Sequence, residues 1–107
     1  MDIEALLQFV KKESDRLAEN YGTSQDNVKR VLSRTVKLQE EVGELSDAIL
    51  SSVSFQRKEK LDKFNKEDLA EELSDVLICT LLLAEASGVD IRESLSKKMD
   101  KINNREY

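Results

Sequence analysis

The 107-residue sequence has no histidine, no proline and no tryptophan, and its single cysteine is Cys79. Without histidine there is no imidazole base, and one cysteine supports neither a zinc cluster nor an intramolecular disulfide. Catalysis would therefore depend on carboxylates, lysine, arginine or a bound metal ion. Three glycines and 5% aromatic residues favour long helices over a sheet. We expect an all-α fold in which Cys79 is a small core residue.

The charge balance also excludes some classes of partner. A formal net charge of −5 argues against a nucleic-acid-binding protein, which would normally present a basic face to the phosphate backbone. The N-terminal residues are acidic where a secretion signal would be basic, and the apolar segment 76–84 is too short to span a bilayer. We expect a cytoplasmic protein with no nucleic-acid and no membrane partner.

Apolar periodicity and capping signals predict four helices in a single domain spanning residues 1–107. The first helix runs over 2–20 and ends before Gly22, and Thr23 or Ser24 caps a second helix that extends to residue 53. A loop over 51–65 follows. Asn65 then opens a third helix ending before Gly88, and Asp90 opens a fourth, with Glu93 three residues later as in a capping box.

The third helix is apolar on every side between residues 76 and 84. Few elements are present in so short a chain to surround it, so burial by a second copy is the simplest hypothesis. We therefore expect a four-helix bundle completed by dimerisation, as a homodimer or a homotetramer. The alternative is that the other three helices of the same chain cover this helix.

Two pairs of acidic residues lie at the edge of the apolar helix faces. Glu41 and Glu44 are one turn apart on the second helix, and Glu72 and Asp75 repeat this spacing on the third. Converging carboxylates that approach an apolar face repel one another and lose hydration, unless a cation satisfies them. Mg²⁺, which prefers oxygen ligands, suits such a set, and Gly43 would allow close approach of a helix or ligand. The alternative is a solvated acidic face paired with Lys37 or Arg34.

The paired motifs resemble the ExxE…ExxD signature of the MazG-like all-α nucleoside triphosphate pyrophosphohydrolases. The surrounding residues are also similar, in "KLQEEVGEL" at 37–45 and in "EELSDVLICTLLLAEASGVDIRESLSKKMDKINNREY" at 71–107. This resemblance covers the second to fourth helices, while the first helix is similar only in kind. Several relatives stack the base on tryptophan, which this chain lacks, so the sequence does not indicate a base preference.

The resemblance implies hydrolysis of a (deoxy)nucleoside triphosphate to the monophosphate and pyrophosphate, as a nucleotide-pool house-cleaning activity. It implies Mg²⁺, with Mn²⁺ as an alternative, held by the four acids of the paired motifs. It also implies that Glu40 or Glu41 orients or deprotonates the attacking water, since no histidine is present. The metal ligands carried over in this way are Glu41, Glu44, Glu72 and Asp75.

Phosphate-binding side chains are also implied near the C-terminal helix and one turn before Glu41. Each of them could equally be a solvated residue at a helix end, favoured by the helix dipole when it is cationic. Two rival functions remain open, namely a phosphoribosyl-ATP pyrophosphohydrolase-like enzyme and a non-enzymatic helical dimerisation or interaction module. The candidate substrate-binding residues are Lys37, Lys98, Lys101, Asn104 and Arg105.

Overall fold

A computed structural model describes residues 1–53 and 66–107, apart from the side chains of residues 52 and 53. These residues form four α-helices: α1 (Ile3–Asn20), α2 (Asn27–Val53), α3 (Lys66–Ala86) and α4 (Ile91–Asn103). The described secondary structure is entirely helical, which confirms the predicted all-α class for these residues. None of the helices in the described ranges is long and apolar enough to cross a membrane.

Helix starts follow local capping chemistry. The Asp2 carboxylate accepts the N–H of Ala5 at 2.9 Å, so Asp2 caps α1 rather than belonging to it as predicted. The Asp90 carboxylate accepts the N–H of Glu93 at 3.1 Å, which confirms the predicted cap of α4. The predicted cap of α2 at Thr23 or Ser24 is wrong, because Asp26 fills this role by accepting the N–H of Lys29 at 3.0 Å.

Thr23 cannot open α2 because it still belongs to the end of α1. Its N–H donates to the Ala18 carbonyl at 2.8 Å, and the preceding Gly22 has a φ of 65°. Gly88 closes α3 in the same manner, with a φ of 70° that a side chain would disfavour. Residues 51–53 belong to α2 rather than to the predicted loop. The rest of that loop and the Asn65 cap lie outside the described residues.

Helix α3 is the centre of the packing. Helix α2 makes the most extensive contact with it, α1 packs against it less extensively, and α4 meets it through Ile91 among other residues. The core cluster consists of Val10, Leu81 and Leu82, with Ile91 and a few other apolar side chains partly buried around it. This arrangement follows from the sequence, because the stretch 76–84 of α3 carries apolar residues on several sides of the helix.

The described part of the chain does not enclose α3 on every side. Leu77 is 66% exposed and Leu73 is 45% exposed, so the described residues leave the face that carries them largely uncovered. The alternative that the other three helices of the same chain cover α3 therefore does not hold for this face among the described residues. Helix α4 also exposes the apolar side chains of Leu95, Met99 and Ile102.

A polar contact fastens α1 to α3 beside the core. The Ser14 hydroxyl, which is fully buried, donates to Oε2 of Glu85 at 2.7 Å, and the Lys11 ammonium donates to Oε1 at 3.1 Å. Burial alone would raise the pKa of the Glu85 carboxyl, but these two hydrogen bonds and the positive charges of Lys11 and Arg30 together outweigh it and hold the pKa below its usual value. Ionised Glu85 therefore stabilises the packing of α1 on α3.

We expect Glu85→Gln to lower the free energy of unfolding at neutral pH by about 1 kcal/mol, since a partly exposed charge-assisted hydrogen bond is lost. A lowered folded-state pKa means that this stabilisation is present above the unfolded value and is lost as the pH falls below about 4.5. Urea denaturation of both proteins at several pH values measures the difference. Asp15→Asn is the matched control, because Asp15 also contacts Lys11 but is exposed. A difference that persisted unchanged in acid would contradict the assigned role.

Candidate metal centre

Three of the four predicted metal ligands converge where α2 packs on α3. Glu41 of α2 and Glu72 and Asp75 of α3 each offer a carboxylate oxygen, and these oxygens all lie within 4.8 Å of one another. The spacing of Glu72 and Asp75 puts both on the same side of α3, facing Glu41 across the helix pair. The packing of the two helices thus turns two sequence motifs into one cluster.

The cluster contains carboxylate oxygens that the described residues leave unsatisfied. Glu41 is only 7% exposed, and Oε2 of Glu41 and Oε2 of Glu72 are buried without a hydrogen-bond partner among these residues. Buried acceptors of this kind are costly, and two adjacent carboxylates add electrostatic repulsion. A hard divalent cation with oxygen ligands would remove both costs. The donor set therefore fits a divalent metal ion.

Glu44, the fourth predicted ligand, is exposed and lies outside this three-residue cluster. It is still close enough for the charge of Glu41 to raise the pKa of the Glu44 carboxyl, with smaller contributions from desolvation and from Glu72. Desolvation is the largest cause that raises the pKa of the Glu72 carboxyl, and the charges of Glu41 and Asp75 raise it further. Both shifts have the direction expected for acids that repel one another without a cation. Whether Glu44 is itself a ligand stays a prediction.

Lys37 lies beside the cluster and is paired with both candidate bases. Its Nζ is 3.1 Å from Oε1 of Glu41 and 3.5 Å from Oε1 of Glu40. The hydrogen bond with Glu41 is the main reason why the pKa of Lys37 is raised. Glu40 is half exposed, whereas Glu41 is buried, so the two candidate bases differ in hydration. The pairing of Lys37 with the acids is thus present, but Glu41 is buried, so the alternative of a solvated acidic face does not describe this cluster.

The structure does not bring the α4 candidates into contact with this cluster. Asn104 caps α4 and donates its side-chain N–H to the Asp100 carbonyl at 2.9 Å. The side chains of all four candidates are exposed, and within the described ranges none of the four makes a hydrogen bond or ion pair with the acidic cluster. Their role in phosphate binding stays a prediction for Lys98, Lys101, Asn104 and Arg105.

A cavity of about 540 Å³ lies next to the cluster, between α1, α2 and α3. Sequence reasoning considered Arg34 only as a partner for the acids, but it lines this cavity and is buried. Because Arg34 lies on the same face of α2 as Lys37 and Glu41, the sequence could have indicated that it faces the packed side of this helix. Cys79 also lines the cavity, and burial raises the pKa of its thiol, as suits a small core residue.

Gly43 does not have the neighbour that the sequence predicted. A Cβ atom placed on Gly43 would have no other atom within 4 Å, because this part of α2 is exposed among the described residues. The packing of α2 on α3 within one chain therefore does not require this glycine.

The comparison with protein families agrees with this geometry. The MazG nucleotide pyrophosphohydrolase domain family matches residues 29–107. The chain belongs to this family. The match covers nearly all of α2 and all of α3 and α4, so it includes every acid of the cluster and leaves out α1. Curated proteins and solved structures give no match. Family membership supports nucleotide pyrophosphohydrolase chemistry in general, and divalent metal use with it.

We expect Mg²⁺ to raise the melting temperature of the MazG domain beyond the effect of NaCl at matched ionic strength, because the ion binds only the folded state. The pKa values of the Glu44 and Glu72 carboxyls are raised in the folded protein, so their protonated forms favour the metal-free fold in acid. This contribution to stability is lost as the pH rises above about 4.5 and the two carboxyls ionise. The Mg²⁺ effect should therefore grow from acid to neutral pH. Differential scanning fluorimetry with both salts over this range measures it.

Asp75→Asn keeps the shape of the side chain but removes a charge, so it should reduce the Mg²⁺-dependent shift. Asp47→Asn is the matched control on the exposed face of α2. Equal shifts with Mg²⁺ and with NaCl, or an unchanged shift in Asp75→Asn, would contradict a specific site.

Proposed function

We propose that this MazG domain hydrolyses (deoxy)nucleoside triphosphates to the nucleoside monophosphate and pyrophosphate, with Mg²⁺ as the metal ion and Mn²⁺ as an alternative. The observation that carries the proposal is the convergence of Glu41, Glu72 and Asp75, two of which have a buried carboxylate oxygen without a partner. A set of three carboxylates beside a lysine and an apolar cavity suits a metal-dependent phosphate reaction better than it suits a purely structural contact.

The three acids, with Glu44 adjoining them, would hold the ion. When bound, a divalent cation neutralises charge on the phosphate oxygens and so favours attack on phosphorus. Lys37 lies on the cavity side of the cluster and would hold a phosphate oxygen. To do so it would loosen one of its two contacts with Glu40 and Glu41, of which the 3.5 Å contact with Glu40 is the longer.

In the proposed reaction a water oxygen forms a bond to the α-phosphorus, and the bond from that phosphorus to the oxygen bridging the α- and β-phosphates breaks. Pyrophosphate leaves with the bridging oxygen and its electron pair. The proton of the water passes to a carboxylate of Glu40 or Glu41 and from there to solvent. The physiological role that we propose is removal of unwanted nucleotides from the cellular pool.

We expect hydrolysis in ¹⁸O-labelled water to place the label in the nucleoside monophosphate, because the water attacks the α-phosphorus. Mass spectrometry of the products measures the label, and intact pyrophosphate should appear without early orthophosphate. A label found in pyrophosphate, or a diphosphate as the first product, would contradict the proposal.

Glu41→Gln should lower kcat by at least about a hundredfold, since the variant weakens the metal set and removes a candidate base. Glu40→Gln separates the two candidate bases. A comparable loss of kcat in Glu40→Gln would indicate that Glu40 accepts the proton of the water, whereas retained activity would assign that role to Glu41. Asp47→Asn is the control for folding and general charge. Full activity in both Glu40→Gln and Glu41→Gln would show that neither carboxylate accepts the proton.

The apolar face of α3 supports a further part of the proposal, that the domain works as a dimer or as a tetramer built from dimers. Leu73 and Leu77 of α3 and Val42 of α2 are all more than 40% exposed. Burying such side chains against a second copy would gain about 25 cal/mol for each Å² of apolar surface removed from water. The small core of the single chain leaves this surface available.

Light scattering coupled to size exclusion should therefore give a mass of at least twice the 12.2 kDa of one chain. Leu77→Glu should shift the mass towards one chain, because the charge would be buried in the contact. Met99→Glu, an equally drastic change at an exposed position of α4, is the control and should leave the mass unchanged. A wild-type mass of 12.2 kDa at micromolar concentration would contradict the assembly.

A further inference from the structure

Lys37 is the one cation that forms an ion pair with the acidic cluster among the residues that the structure describes. Its Nζ lies 3.1 Å from Oε1 of Glu41 and 3.5 Å from Oε1 of Glu40, which adjoins the cluster. Glu41 is the most buried acid of the cluster, whereas Glu72 is half-buried and Asp75 is exposed. An ammonium group therefore contacts the carboxylate that would be most costly to leave without compensation.

This ion pair compensates the charge of the cluster only in part. A single positive charge faces three carboxylates, and Oε2 of Glu41 and Oε2 of Glu72 stay buried without a hydrogen-bond partner among the described residues. The pKa of the Glu72 carboxyl remains raised, by desolvation first and then by the charge of Glu41. A divalent cation brings twice the charge of an ammonium group, so it would compensate the same carboxylates better.

Lys37 and a divalent cation compete for the negative charge of Glu41. An ammonium group in contact with this carboxylate occupies one of its oxygens and repels a second cation that binds beside it. A unit charge about 6 Å from a divalent ion changes the affinity for that ion by about tenfold, even in a dielectric as high as that of water. The position of Lys37 therefore weakens the cluster as a metal site.

Lys37 can leave Glu41 without disturbing the packing of α2 on α3. Its side chain is 52% exposed, and a lysine side chain has a flexible four-carbon stem. Lys37 also lines the cavity of about 540 Å³ next to the cluster. An anionic group bound in this cavity would attract the ammonium group away from Glu41 and so remove its competition with the metal ion.

We propose that Lys37 is a built-in substitute cation that couples metal binding to nucleotide binding. In the metal-free protein its ammonium group compensates Glu41 and lowers the affinity of the cluster for a divalent cation. When a nucleotide phosphate draws the ammonium group away, this affinity rises. By thermodynamic linkage, the bound cation raises the affinity for the nucleotide by the same factor. The nucleotide part of the inference rests on the proposed function, whereas the competition with the metal ion does not.

The first test measures metal affinity without any nucleotide. Free Mn²⁺ is quantified by electron paramagnetic resonance during titration of the protein, and Mg²⁺ is then added as a competitor. Lys37→Met and Lys37→Gln remove the ammonium group, so both should bind Mn²⁺ about three- to tenfold more tightly than the wild-type protein. Their melting temperatures show that both are folded. An affinity within about twofold of wild type in both variants, or a weaker one, would overturn the inference.

Two further variants separate the ion pair from the general charge of the protein. Lys37→Arg keeps a positive charge that can pair with Glu41, so its Mn²⁺ affinity should stay close to that of the wild type. Lys66→Met is the matched control, because it removes an exposed lysine about 9 Å along the axis of α3 from Glu72. At physiological salt this change should alter the affinity by less than about twofold. Equal gains in Lys66→Met and Lys37→Met would overturn the inference, since net charge alone would explain them.

The second test measures nucleotide binding with α,β-methylene ATP, whose α–β bridge is not hydrolysed. Isothermal titration calorimetry at saturating Mg²⁺ should show that Lys37→Met binds this analogue at least about threefold more weakly, because no ammonium group is left for the phosphates. Metal affinity and nucleotide affinity would thus move in opposite directions in one variant. A purely structural role of Lys37 does not produce this opposition. Unchanged binding of the analogue in Lys37→Met would overturn the coupling.

The outcomes separate this inference from the proposed function. If Lys37→Met weakens the binding of the analogue but leaves the Mn²⁺ affinity unchanged, Lys37 is an ordinary phosphate ligand, and the inference is wrong although the pyrophosphohydrolase stands. If the Mn²⁺ affinity rises as expected but the wild-type protein binds no nucleotide, the proposed function fails and the competition with the metal ion stands. If neither the wild type nor the neutral variants bind a divalent cation, both are overturned.

Discussion

The contact between α2 and α3 is the constraint on which the rest of this structure depends, because it buries negative charge. Glu41 lies almost fully buried beside Glu72 and Asp75, with carboxylate oxygens that the described residues leave unpaired. Such an arrangement opposes folding through desolvation and repulsion, and the apolar burial elsewhere on α3 helps to offset it. A stretch of a helix pair that costs stability is typical of a functional site rather than of a packing surface.

The face of α2 that meets α3 is divided along its length. Its N-terminal half carries the cations Arg34 and Lys37, and its C-terminal half carries the acids Glu41 and Glu44. Lys37 joins the two halves by its contact with Glu41. The order of charges along one helix face thus supports the proposed reaction.

The rest of the described core is small. The core cluster of the chain rests on Val10, Leu81 and Leu82, and the Ser14 to Glu85 contact supports it from α1. Several apolar side chains of α2 and α3 stay exposed in the single chain, which is the basis for proposing a second copy. The family match begins within α2, so α1 is the part of the fold whose contribution rests on this structure alone.

Local chemistry along the sequence determined the helices, because capping side chains and helical periodicity act over a few residues. Asp2, Gly22, Gly88 and Asp90 end or begin helices as their chemistry predicts. The acidic motifs could also be recognised, since their spacing places each pair on one helix face. The cap of α2 was wrong because the hydrogen bond from Thr23 to Ala18 extends the end of α1, a competition that spacing alone does not resolve.

Only the tertiary structure decided which of these groups meet. It joined Glu41 to Glu72 and Asp75, left Glu44 at the edge, and kept the α4 cations apart from the cluster among the described residues. It also buried Arg34 beside the cavity, although the sequence analysis considered Arg34 only as a partner for the acids. The physical reason is that burial and electrostatic contact depend on how α1, α2 and α3 pack together, whereas periodicity specifies only the faces that each helix presents.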